Sequence, residues 1–156
     1  MAETTTTIGR RMVVRPGATE DVEWIVEELR QFAAWVERKH LLFAEAYTRE
    51  WMPRLIADHF VRVAEVGGER AGVIAALVGA HPINPSLRTL TELFWWVSLD
   101  HRASRAGLLL LEAFVEWGRM HADWVLLSLE ADSPVKEKTL VRRGFMLKER
   151  GYLLET

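Results

Sequence analysis

The segment from Glu92 to Gly107 constrains this chain more than any other. Leu90 to Val97 reads as a strand rich in aromatics, residues 98–105 as a polar turn, and Ala106 to His121 as a strongly apolar helix. A helix start exposes unpaired backbone N–H groups and a partial positive charge, a combination that suits a phosphate or pyrophosphate. Arg102 and Arg105 add mobile positive charge at that place. The small residues Ala103, Ser104, Ala106 and Gly107 let a ligand approach the backbone closely. A plainer reading stands beside this one, in which the loop only caps a core helix and both arginines are solvated.

The rest of the chain supplies a sheet for that segment to belong to. Val13-Val14-Arg15 reads as a short strand ended by Pro16 and Gly17, after which Thr19 is expected to cap a helix with Glu20 and Asp21 in its first turn. Val22, Ile25, Val26, Leu29, Phe32, Ala33 and Val36 recur at helical spacing. A second helix is expected over Phe43 to Asp58, broken or kinked at Pro53. Phe60 to Val66 and Ala71 to Val78 are strand-like runs around Gly67-Gly68, the signature of a tight hairpin. The second run is apolar on both faces, as in a central strand. Trp124 to Leu129 reads as another buried strand. Ser133 and Pro134 read as the N-cap and first position of a late helix, Gly144 as its stop, and Phe145–Lys148 and Tyr152–Glu155 as two closing strands. This order predicts an α/β (α+β) fold: a mixed, twisted central sheet of about six to seven strands with helices on both faces. Residues 1–11 read as a frayed polar tail and residues 12–156 as a single domain.

Composition narrows the function classes. The net charge of −2 argues against a dedicated nucleic-acid binder. With no cysteine, the chain has no thiolate nucleophile, disulfide or cysteine zinc site. The five histidines, His40, His59, His81, His101 and His121, show no metal-ligand spacing, so no metal is expected. No apolar run is long enough to span a bilayer and no secretory pattern opens the chain; the expected compartment is the cytoplasm.

On these residues the chain resembles the GNAT N-acetyltransferases, in particular small members from phages and bacteria. That family carries a strand, then a turn of the form Arg/Gln-x-x-Gly-x-Gly/Ala, then a helix; here Arg102-Ala103-Ser104-Arg105-Ala106-Gly107 stands in the place of the turn. The outer Arg and the last Gly match, Arg105 replaces the middle Gly, and Val97-Ser98-Leu99 lacks the proline that usually precedes the turn. Val14-Arg15 with Thr19 and Asp21 is similar to the family's opening strand and helix start. Leu140-Val141-Arg142-Arg143-Gly144-Phe145 is similar to its late Leu-Tyr-x-x-x-Gly-Phe segment, and Glu149 to Leu153 to its closing strand. The resemblance implies a GNAT fold from Val13 onward and acetyl-CoA as co-substrate. It implies a cofactor site of Trp95, Trp96 and Val97 through their backbone, the turn Arg102 to Leu108, and Ser133 and Lys136 on the late helix. Lys138, Arg142 and Arg143 share that helix, where a solvated basic face is the alternative reading.

Glu92 is the one acid inside the aromatic strand. By alternation it is expected to share a face with Phe94 and Trp96, and a carboxylate beside buried aromatics should have a raised pKa, which suits a general base. The resemblance implies that role; a strand-end carboxylate facing solvent or an Arg is the alternative. The family's tyrosine on the late helix, which protonates the departing thiolate, falls at Leu140, so Tyr152 is the candidate proton donor if it is not simply a core or edge aromatic. The expected function is direct acetyl transfer to an amine, small molecule or peptide; the alternative is a GNAT-like CoA-binding or interaction protein with weakened catalysis. Acceptor contacts are expected around Val36 to Trp51, where Glu37, Glu45 and Glu50 could attract a cation, and around His81 to Arg88. Trp24, Trp35 and Trp51 suggest a homodimer.

Overall fold

The computed structural model describes residues 10–36 and 42–156; nine residues of the expected tail, together with Glu37 and His40, lie outside the described residues. Strand β1 (Met12–Pro16) is followed by a 3-10 turn (Thr19–Asp21), helix α1 (Val22–Trp35) and helix α2 (Glu45–Asp58). Strands β2 (Phe60–Val66), β3 (Glu69–Ala80) and β4 (Arg88–Val97) come next. A second 3-10 turn (Leu99–His101), helix α3 (Ala106–His121), strand β5 (Trp124–Leu126) and helix α4 (Glu137–Val141) complete the order. The sheet runs β1-β2-β3-β4-β5, antiparallel except for the parallel β4–β5 pair.

The alternation of β2 and β3 divides the core in two. Phe60, Ala64, Ile74, Ala76 and Leu90 pack with Leu110, Leu111 and Phe114 of α3 on one face. Val61, Val63, Val73, Ala75 and Phe94 pack with Ile25 and Val26 of α1 and Met52 and Leu55 of α2 on the other. Helices therefore cover both faces, as the both-sided apolar pattern of β3 requires. At the β2–β3 turn Gly67 and Gly68 have φ of 61° and 83°, the left-handed pair that a two-residue hairpin needs.

The sheet has five strands rather than six or seven. β5 stops at Leu126 instead of Leu129, and neither Phe145–Lys148 nor Tyr152–Glu155 forms a strand. A three-residue β5 offers little ladder for a further strand, and Gly144 (φ 92°) turns the chain after α4. Phe145 alone of that stretch packs on the α3 core, while Met146, Leu147, Tyr152, Leu153 and Leu154 are exposed. α2 runs unbroken through Pro53: Met52 and Leu55, both fully buried, hold the helix across the one missing N–H. Trp24, Trp35 and Trp51 are each partly buried within the chain.

Asp21, not Thr19, holds the N-cap position of α1, and its side chain bonds away from the helix. Fully buried, Asp21 accepts the Ala18 N–H at 2.8 Å, two bonds from Arg15 at 2.7 and 2.9 Å, and one from Arg70 at 2.7 Å. Arg15 also donates to Glu65 of β2 at 2.7 Å, so β1, β3 and the start of α1 meet on Asp21 and β2 joins through Arg15. Burial pushes this carboxyl up, but the bonds from Arg15, the Ala18 amide and Arg70 outweigh it and hold the pKa at about 2. A depressed carboxyl stabilises the fold above its unfolded pKa and ceases to do so as pH falls towards the folded value.

Two predictions follow from this packing. Asp21→Asn should cost about 2 kcal/mol at pH 7 in denaturant titration, with the difference from wild type shrinking as pH falls from about 4 to 2. Gly118→Ala on α3 would normally gain about 1 kcal/mol of helix propensity. Here the new Cβ would overlap Val125 Cγ2 of β5 and lie 3.1 Å from Leu90 Cδ2. The expected outcome is a net loss of about 1–2 kcal/mol, seen as a lower Tm.

Candidate active site

β4 decides the geometry of the site. Its register against β3 pairs Phe94 with Ala75 but Glu92 with Ala76, so Leu93 is an extra residue: a β-bulge. Paired residues of an antiparallel ladder share a face. Below the bulge Leu90 faces α3, and above it Trp95 and Val97 do so, whereas Phe94 and Trp96 face α1. Glu92 pairs with Ala76 of the α3-side core and therefore belongs to the α3 face. The expectation that Glu92 shares a face with Phe94 and Trp96 is corrected by this one inserted residue, because strict alternation fails across a bulge.

β4 and β5 part immediately beside Glu92. Their pairing covers Thr89–Thr91 against Trp124–Leu126 and goes no further. From Glu92 to Val97 the β5-facing edge of β4 pairs with no strand among the described residues. Glu92 sits where that pairing ends, and its Oε2 accepts the Ser128 N–H at 3.4 Å. Burial pushes the Glu92 carboxyl up to about 7; the Ser128 amide opposes the rise and the Glu130 charge adds to it. A half-buried carboxyl that titrates near neutrality can take a proton at physiological pH.

The open edge of β4 leads into the turn. Ser98 donates its N–H to Ala71 O at 2.9 Å, anchoring the turn to β3. Ser104 donates its N–H to His101 O at 2.9 Å, and its hydroxyl accepts the Ala106 N–H at 3.2 Å. The Gly107 and Leu108 amides follow in the first turn of α3, where a helix supplies no acceptors. Gly107 packs against Val97 and Trp95: a Cβ there would lie 3.2 Å from Val97 Cγ2. The absence of a side chain lets the start of α3 sit against Val97 and Trp95 of the open strand, while Ala106 is buried in the α3-side core.

Other sequence candidates are placed differently. Arg102 turns onto the Trp96 ring, with its guanidinium carbon 4.2 Å from the ring centroid and its Nε donating to Val97 O at 2.9 Å. Ser133 is not the cap of the late helix: its hydroxyl accepts the Val135 N–H at 3.2 Å in a preceding turn, and Lys136 holds the N-cap position of α4. Proline at 134 cannot donate, and the chain needs three more residues to reach helical geometry. Lys136 is exposed. Arg143 is tied to α3 through Glu112 at 3.2 Å and to Thr139 O at 2.9 Å. Leu140 is buried in the α3-side core, and Tyr152, expected on a last strand, is 91% exposed on irregular chain. Sequence reasoning missed Glu28, a buried carboxylate on α1 whose Oε2 accepts the Trp96 indole N–H at 2.8 Å. Its signal was an acid among the apolar positions of α1. Among the described residues no helix is long and apolar enough to cross a membrane, and no cluster of three or more acidic or histidine side chains could hold a metal ion.

No family profile and no curated protein matches the chain by sequence. Solved structures do match by shape. A predicted acetyltransferase from Clostridium acetobutylicum, solved with acetyl-CoA, superposes with a TM-score of 0.73 over 93% of this chain and 96% of its own at 12% identity. Glucosamine-6-phosphate N-acetyltransferase from Arabidopsis thaliana gives 0.68 over 93% and 98% at 13% identity. A transcriptional regulator from Bacillus halodurans gives 0.75 over 94% and 100% at 14% identity, so the shape alone does not fix an activity. The strand order, the parted β4–β5 pair and these superpositions together give the chain the GNAT acetyltransferase fold.

Proposed function

We propose that this protein is an N-acetyltransferase that moves an acetyl group from acetyl-CoA directly to an amine. The observation that carries the reading is the parting of β4 and β5 at Thr91 and Leu126, with the neutral-titrating Glu92 where the pairing ends and the start of α3 at the far end. Acetyl-CoA would supply the activated thioester. The amides of Gly107 and Leu108, with the small side chains around them, suit its pyrophosphate. The free edge of β4 at Trp95 to Val97 suits the amide-bearing arm and can donate to the thioester oxygen as charge develops there. Glu92 takes the proton as the amine nitrogen bonds to the acetyl carbon and the carbon–sulfur bond breaks. With no cysteine in the chain, direct transfer is favoured over a thioester intermediate on the protein. The leaving thiolate, from a thiol of pKa about 8.5, is tolerable near neutral pH without a side-chain acid.

A second reading, CoA binding without transfer, is favoured by one specific feature: Leu140 is buried in the core and Tyr152 points into solvent, so neither brings a hydroxyl to the site.

Calorimetry with CoA and acetyl-CoA, followed by thiol release against a panel of small amines and peptides, separates the readings. Transfer predicts binding and turnover, with kcat/KM rising with pH through about 7 as Glu92 ionises; Glu92→Gln should lower kcat by about 10²-fold and flatten that rise. Binding without thiol release would favour the second reading, and absence of CoA binding would overturn both. Glu92 also has a stability signature. A carboxyl whose pKa is raised by folding favours the fold below its unfolded value, near 4.5, and ceases to do so as pH rises through about 7. The Tm of Glu92→Gln relative to wild type should therefore increase between pH 5 and 8.

A further inference from the structure

Arg102 opens the turn, yet its side chain is committed to the α1 face of the sheet. There Glu28, only 6% exposed, accepts the Trp96 indole N–H. Phe32 and Trp35 stand edge-on to Trp96, with ring centroids 5.6 and 6.0 Å away. The guanidinium carbon of Arg102 lies 4.2 Å from the Trp96 centroid and 5.5 Å from that of Trp35, and Nε holds Val97 O. A buried carboxylate is costly without a countercharge, and Arg102 brings a cation to it through the face of the ring that already donates to it. Burial lowers the Arg102 pKa and the Glu28 charge opposes that shift.

We propose that Arg102 is a positioning residue, clamping the 98–105 turn to α1 through Trp96 and Glu28, and is not itself a phosphate ligand. Along the chain Arg102 lies between the end of the open strand at Val97 and the start of α3 at Ala106. The clamp fixes where the first amides of α3 point, an inference that rests on the CoA reading of the turn. A phosphate contact would require Arg102 to leave the Trp96 ring and give up Val97 O.

Glu28→Gln distinguishes the two roles, because it keeps an acceptor for the indole while removing the charge. If Arg102 positions, Arg102→Ala and Glu28→Gln should each weaken CoA binding about tenfold, and the double variant should be little worse than either, since both break one unit. If Arg102 grips phosphate, Glu28→Gln should leave CoA affinity unchanged or tighten it, and that result overturns the proposal. The Trp96 indole N–H gives a readout that needs no CoA: its hydrogen exchange should accelerate in Arg102→Ala. Exchange as slow as in wild type sinks the clamp. A wild type that binds no CoA but loses indole protection in Arg102→Ala would instead overturn the CoA reading and leave the clamp standing.

Discussion

The Leu93 bulge is the constraint on which the site depends. One inserted residue shifts the parity of β4, so that Glu92 stands on the α3 face while Phe94 and Trp96 stand on the α1 face. Bulges increase local twist and bend the strand that carries them. The parallel pairing with β5 stops on one side of this bulge, and the open edge of β4 begins there. The extra residue thus sits where β4 loses its paired neighbour, and the half-buried carboxylate lies at that boundary.

A strand that loses its neighbour along part of its length must be held by the rest of the sheet. Two devices do this at opposite ends. Asp21 collects Arg15 of β1, Arg70 of β3 and the Ala18 amide, so two strands and the start of α1 share one buried anion. At the near end Gly118 lets α3 close on Val125 and Leu90, and Gly72 lets β3 approach β4 so tightly that a Cβ would lie 2.9 Å from Trp96 O. Both contacts bring α3 and β3 closely against β4 and β5.

Local chemistry was legible in the sequence and parity was not. Gly67-Gly68 marked the hairpin, Gly144 marked the end of the late helix, and the change of period between Val97 and Ala106 located the turn and the start of α3. Each of these is a signal carried by a few adjacent residues. Glu92 was identifiable as an acid in an apolar strand, and its raised pKa has the expected cause, burial. Its face was not identifiable, because counting by twos assumes that no residue is inserted and nothing in Glu92-Leu93-Phe94 marks an insertion. The closing strands failed for a different reason. Phe145–Lys148 and Tyr152–Glu155 have strand composition, but a strand needs a neighbour, and β5 ends after three residues. Glu28 escaped notice because a carboxylate is buried only when long-range partners converge on it, here a tryptophan 68 positions away.

The two faces of β4 divide the work between them. On the α3 face, Trp95, Val97 and Gly107 pack together where β4 meets the start of α3. On the α1 face, Trp96 is locked by Glu28, Phe32, Trp35 and Arg102. A strand edge open to a ligand has lost the neighbour that would normally keep it in place. Its position must then come from its faces, and the densest aromatic cluster on β4 lies directly across the strand from the open residues. Arg102 extends that lock from the strand to the turn. Its guanidinium lies over the Trp96 ring and its Nε holds Val97 O, so one of the turn's two arginines fixes backbone.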